Sequence, residues 1–364
     1  MDRVGLTSTL ERGAEFTRRR LSLLGRPAGW VTPHGPRPTE APEAVLVLQR
    51  GPNPSTDYYL RPRLPQGFPS RIVDLDRQPS TEPWLGDGRP LWVVVCRYIT
   101  PAWLSALERA KPARVSFFAD DDLPAMVQDP ALPRGTRGKV ASLYGRHVER
   151  LSALTTDVWV STPVLASRHP WKGVEVLAPG PENDPPSPEP GSPPLVVYQG
   201  SDVHGEERRF MLEVARRLQS RAPDALVEVT GDAKLARQAR GLANLRVVEQ
   251  ASWPAFLRAQ AGRRAAVFLA PLGRSAVNDA RAPVKAFDAA RLGAAAVFAD
   301  APAYCNWVRP GVDGLLAPLT PDAFVDATVE LLRDEPRRLS LARAARERLI
   351  ALRRTVSVLP GGPA

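Results

Sequence analysis

From residue 44 onward the chain carries apolar runs of four to six residues, set apart by polar, turn-forming stretches. They read AVLVLQ from Ala44, RIVDL from Arg71, LWVVVC from Leu91, RVSFFA from Arg114, DVWVST from Asp157 and VEVLAP from Val174. Runs of this length are those of buried parallel strands. Helical patterns lie between several of them, notably over 102–110 and 137–154. The stretch PGPENDPPSPEPGSPP at 179–194 then interrupts the alternation. Such a density of Pro, Gly and Ser forms neither a helix nor a central strand and reads as a linker. Beyond it the alternation resumes with PLVVYQG, ALVEVTGD, NLRVVEQ, AAVFLAPL, AAAVFAD and GLLAP, with helices from about Glu206, Lys234, Trp253, Pro321 and Glu335.

Strands alternating with helices predict βαβ units and parallel sheets. The expected architecture is α/β, two Rossmann-like domains facing across a cleft. Residues 1–42 read as an appendage, an amphipathic helix over 6–24 followed by Pro-rich loop. Residues 43–180 form the first domain, 181–194 the linker, 195–351 the second domain and 352–364 a tail. Ligands in such folds sit beyond the carboxyl ends of the strands.

Composition narrows the class. The formal charge is +10, yet the only lysines are Lys111, Lys139, Lys172, Lys234 and Lys285, and the arginines are spread along the chain rather than massed in one tract. With neither a basic helix nor an aromatic-basic sheet motif, nucleic acid is not an expected partner. The two cysteines make no disulfide framework, and four histidines without paired cysteines give no zinc pattern. Glu11, Arg12 and Arg18–Arg20 interrupt any signal-peptide core, and no run approaches the roughly 20 apolar residues of a membrane span. The expectation is a cytoplasmic protein, with peripheral contact at the inner face of the membrane through the Arg-rich N-terminal segment.

The strand ends hold the candidate chemistry. In the second half they offer Gly200 with His204 and Gly205, a turn suited to phosphate; Pro271 to Arg274; and the segment NDARAPVKAFDAARLGAAAVFAD from Asn278. Here Pro283 suits the first position of a helix, and Lys285 and Asp288, three apart, share one face. Basic groups at a helix start can hold phosphate, and a carboxylate one turn in can accept from a sugar's hydroxyls. A surface ion pair is the plainer reading of the same spacing. Neither G-x-G-x-x-G after the first strand of either half nor G-x-x-x-x-G-K-[ST] occurs, which speaks against a Rossmann dehydrogenase or a P-loop ATPase. In the first half, RVSFFA runs into Asp120, Asp121 and Asp122, which either cap the next helix, bind a divalent ion or supply a base.

The second half resembles the donor-binding domain of GT-B glycosyltransferases, especially family 4-like enzymes of bacterial surface-polysaccharide assembly. The resemblance rests on YQGSDVHGEE at Tyr198, VTGD at Val229, APL…NDARAPVKAFDAARLGA over 270–294 and VFAD…Y…VRPGVDGLLAP over 297–318. Relatives read approximately N-x-A-K-S-x-x-K-x-x-E-x-x-x-x-G, so Arg281 stands for the Lys, Ala282 for the Ser and Asp288 for the Glu. RVSFFADDDL resembles their D-x-D-D stretch, and the likeness spans about 44–351. It implies a hexosyltransferase-like, nucleotide-sugar-dependent enzyme that acts on a glycan or lipid-linked acceptor with retention and without a metal or other cofactor. Asp288 would hold the ribose and Lys285 and Arg281 the diphosphate, with Gly200, His204, Arg274 and Asn278 completing the donor site. Asp120, Asp121 and Lys285 are the expected catalytic groups: the resemblance places the two aspartates where relatives touch the transferred sugar or acceptor, and Lys285 is a cation that can stabilise the departing nucleoside diphosphate. Many family 4 enzymes carry two Glu separated by seven residues; Asp288 matches the second, and the first falls on Ala280. The basic pair that often follows the donor domain's first strand is also missing. A non-catalytic GT-B-like module that binds glycan or a partner is the alternative.

Overall fold

The computed structural model describes residues 28–38, 40–77, 82–181, 183–190, 194–200 and 205–361. The predicted helix at 6–24 and His204 lie outside these. The chain divides into two compact units, one of Met1–Gly51 and Leu64–Leu177, the other of Pro52–Arg63 and Ala178–Ala364. The sequence pattern treats 43–180 as continuous, yet Pro52–Arg63 clusters with the second unit.

The first unit is a six-stranded parallel sheet of β1 (Ala44–Gln49), β2 (Ser70–Asp74), β3 (Leu91–Cys96), β4 (Arg114–Ala119), β5 (Asp157–Val160) and β6 (Glu175–Val176), in the order β2-β1-β3-β4-β5-β6. β1, β3 and β4 are buried at every position, which is why they read as continuous apolar runs. This order is that of flavodoxin-like folds rather than the dinucleotide-binding order. The predicted Pro-rich loop is partly built into this unit. Val31 is fully buried, Tyr144 Oη donates to Gly29 O (2.7 Å), and the amides of His34 and Gly35 donate to Ser152 and Thr155 carbonyls. Extended backbone held by scattered bonds has no period by which a sequence could reveal it.

Two histidines are buried in this unit. His169 stands between the Val31 carbonyl (3.0 Å) and the Trp171 amide (3.1 Å), an arrangement suited to the neutral ring. His147 is pushed down to about 4, chiefly by burial and further by Arg146 and Arg150. Burial lowers His169 as well. Below pH about 6.5 the unfolded chain takes up protons that the folded chain refuses, so stability is fully present above that pH and falls toward pH 4. Urea denaturation is expected to lose about 2 kcal/mol between pH 7.5 and pH 5 at His147, and His147→Gln to remove most of that dependence. An unchanged pH dependence in the variant would refute the assignment.

The second unit is also a six-stranded parallel sheet, of β7 (Leu195–Tyr198), β8 (Leu226–Gly231), β9 (Leu245–Glu249), β10 (Val267–Ala270), β11 (Ala295–Ala299) and β12 (Leu315–Ala317). Its order is β12-β11-β10-β7-β8-β9. This is the dinucleotide-binding order, and its direction reverses between β7 and β10, where the pairing is Val267 with Val196 and Phe268 with Val197. Val197, Phe268, Val297 and Phe298 on these strands are buried with Leu218, Phe324 and Leu331 in one core. Helix Lys285–Arg291 stops at Gly293, whose φ of 62° only glycine adopts without cost. The Gly293 amide donates to Ala290 and the Ala294 amide to Ala289, the Schellman pattern that turns the chain into β11. Among the described residues no helix is long and apolar enough to cross a membrane.

Candidate functional site

A cavity of about 390 Å³ opens where the order of the second sheet reverses. Its walls are the residues that follow β7 (Gln199, Gly200), β9 (Gln250, Ala251) and β10 (Pro271, Leu272), with Tyr198, Thr230, Tyr304, Trp253 and Phe256. Arg281, Ala282, Lys285 and Asp288 close one side, and Pro54 and Tyr58 another. A methyl group at Gly200 would run into the Tyr198 hydroxyl, so the bare backbone there keeps the wall open. Burial chiefly pushes the Tyr198 and Tyr304 phenols up, with Arg281 opposing, so both are neutral hydrogen-bond donors at neutral pH.

The charged end is a connected group. Lys285 Nζ lies 3.0 Å from Asp288 Oδ2, and the Tyr58 hydroxyl donates to Asp288 Oδ1 at 3.0 Å. Arg291 Nη2 donates to the same hydroxyl at 2.9 Å, and its Nη1 stands 3.7 Å from Oδ1. The Asp288 side chain is only 7% exposed and Lys285 24%. The predicted sharing of a face is therefore real, and the ion pair and the cavity wall are the same residues. The helix starts at Lys285 rather than at Pro283, whose carbonyl accepts from the Ala286 amide at 3.0 Å. With seven residues its dipole is short, so the positive potential at this end comes from Lys285 and Arg281.

Tyr58 was not legible as a site residue. It lies in Thr56–Leu60, a single π-helical turn, a form that recurs at functional sites. Asp57 accepts from Trp253 Nε1 (2.7 Å), Gly180 donates to the Tyr58 carbonyl (2.8 Å), and Arg63 donates to the carbonyls of Tyr59 and Ala178. These bonds fasten the turn to the second unit. Glu228 is another lining residue that the sequence did not expose. It is buried on β8, and Arg263 and Arg246 pair with it.

Of the predicted donor residues, Gly200, Arg281, Lys285 and Asp288 come together in this cavity. Arg274 and Asn278 do not line it. Arg274 pairs with Asp279 through two bonds of 2.8 and 3.0 Å, and Asn278 Nδ2 donates to the Gly273 carbonyl. Both short side chains and fork donors are readily claimed by neighbours a few residues away. Ala280 is fully buried. In the first unit, the Arg97 guanidinium bridges Asp120 (3.2 Å) and Asp121 (3.3 Å), while Asp122 caps the helix Leu123–Gln128 and pairs with Arg168. Burial disfavours the Arg97 charge, and Asp120 and Asp121 more than restore it. Arg97 has φ 64°, a conformation costly for a residue with a side chain. Among the described residues no three His, Cys, Asp or Glu are grouped to hold a metal ion.

Residues 193–334 match the family model described as Glycosyl transferases group 1. Comparison with curated proteins by sequence finds no match. Among solved structures, HepE from Anabaena, crystallised with UDP and glucose, superposes with a TM-score of 0.56 at 12% identity, over 86% of this chain and 98% of that one. Sucrose-phosphate synthase from Thermosynechococcus elongatus gives 0.54 at 14% identity, over 85% and 94%. A glycosyltransferase from Rickettsia africae gives 0.54 at 10%, over 88% and 95%. At these identities the likeness shows the fold, which is that of the GT-B glycosyltransferases.

Proposed function

We propose that this chain, with a group 1 glycosyl transferase domain over 193–334 and the GT-B fold, moves a sugar from a nucleotide-sugar donor to a glycan or lipid-linked acceptor. One observation carries the reading: the cavity at the reversal point of the second sheet joins two cations, Lys285 and Arg281, to a buried carboxylate, Asp288. A nucleoside diphosphate presents the complementary pattern, an anionic diphosphate beside a ribose with two hydroxyl donors. We assign Lys285 and Arg281 to the diphosphate and Asp288 to the ribose. The cavity's partly apolar wall of Trp253, Phe256 and Val248 suits the base.

As the glycosidic bond to the diphosphate breaks, negative charge builds on the leaving oxygen. Fixed cations near it lower that barrier because they need no reorganisation during the reaction. Protein cations at this end support a reaction without a divalent metal. Asp120 and Asp121 are assigned to the acceptor side, retention is the expected outcome at the anomeric carbon, and polysaccharide assembly is the expected setting. That HepE was crystallised with UDP and glucose makes UDP-sugars the first donors to try.

The test is release of nucleoside diphosphate from UDP-, GDP- and ADP-sugars, with and without glycan acceptors and with and without EDTA. Turnover of one donor that survives EDTA is the expected result, and no release from any donor would overturn the reading. A non-catalytic module has one observation in its favour, the buried alanine at position 280. Nucleotide binding with no release in every arm would favour that reading.

A further inference from the structure

The donor reading leaves unexplained why a tyrosine from the far end of the chain, 230 residues away, donates to the buried carboxylate. We propose, resting on that reading, that Tyr58 is a positioning residue: its hydroxyl is a spacer that holds Arg291 off Asp288 and so keeps the carboxylate turned to the donor's ribose.

The geometry makes the spacer role specific. The Tyr58 oxygen accepts from Arg291 Nη2 at 2.9 Å and passes its own proton toward Asp288 Oδ1 at 3.0 Å. Arg291 Nη1 stands only 3.7 Å from the same Oδ1. With the hydroxyl removed, nothing polar separates guanidinium from carboxylate, and a direct ion pair of two partly buried groups is the favoured outcome. That pair would rotate Asp288 about its side-chain bonds. The other oxygen carries Lys285 and retains lone-pair capacity, since a carboxylate offers about four acceptor directions.

The ring itself has no freedom to swing. It packs 5.1 Å from Phe287 and 5.9 Å, edge on, from Trp253, and is 3% exposed. Burial first, and Asp288 second, push the phenol well above its ordinary value, so it remains a donor across the working pH range. Trp253 is itself anchored by donation to Asp57, the residue before Tyr58. One π-helical turn thus supplies both the spacer and the clamp on its neighbour.

The experiment measures binding by calorimetry of UDP, GDP, ADP and their 2′,3′-dideoxy counterparts to the wild-type full-length chain and to Tyr58→Phe. The wild type is expected to prefer one ribonucleotide over its dideoxy form by about 10- to 100-fold, the value of hydrogen bonds to a charged group. Tyr58→Phe is expected to bring that preference within about threefold, while a diphosphate contribution common to both ligands persists. A purely structural role would weaken both ligands equally and leave the preference intact, which would overturn the proposal; so would a wild type that binds without preference. Binding of no nucleotide by the wild type would instead overturn the donor reading itself. Should Tyr58→Phe not fold, Arg291→Gln carries the test. It removes the cation that the spacer restrains while leaving Tyr58 in place, so the preference is expected to persist, and its loss in that variant would overturn the proposal.

Discussion

Asp288→Ala is expected to lower stability by roughly 3 kcal/mol, the scale for removing one partner of a buried charge group. The aspartate is 6% exposed and accepts from both Lys285 and Tyr58, with Arg291 close by. Its loss leaves the Tyr58 hydroxyl and two cations without their shared anion, and the cavity wall gains a void. Desolvated donors cost more than the missing bond itself. Urea denaturation of the purified protein is the measurement. A loss below about 0.5 kcal/mol, the range of ordinary surface substitutions, would show that the carboxylate is not the centre of this group.

Lys285→Ala acts differently. The ammonium is only partly buried, and Asp288 keeps Tyr58 and Arg291 when it is gone, so the expected loss of stability is about 1 kcal/mol. Its effect on a nucleoside diphosphate is far larger. A charge-assisted contact to phosphate in a cavity contributes about 1.5–3 kcal/mol, which corresponds to a rise in Kd of roughly 10- to 150-fold. Titration calorimetry of the variant against the wild type measures it. An unchanged Kd would remove Lys285 from the site and with it the assignment of the diphosphate end.

The two residues illustrate what a sequence can disclose. Lys285 and Asp288 were legible because a helix converts a spacing of three into contact, and the strands were legible because burial on both faces leaves unbroken apolar runs. Pairing order was not: β2-β1-β3 in the first sheet and β10 beside β7 in the second depend on how the crossovers wrap, which no local pattern encodes. Tyr58 had no signal at all. Its segment has neither period, and its partners lie across the chain. Arg274 and Asn278 stand outside the cavity lining for the opposite reason, since Asp279 and the Gly273 carbonyl, both within five residues, take their donors. The acidic run divided its roles. Asp122 is the helix cap that the pattern allowed, while Asp120 and Asp121 share Arg97, a residue that sequence alone gave no reason to single out.

The claim that this cavity holds a donor nucleotide is tested most directly by thermal melting of the wild type and of Lys285→Ala with UDP, GDP, ADP and CMP. The account predicts that at least one of these raises the melting temperature of the wild type and raises that of the variant markedly less at the same concentration. No shift in the wild type with any of the four, or an equal shift in the variant, would contradict it.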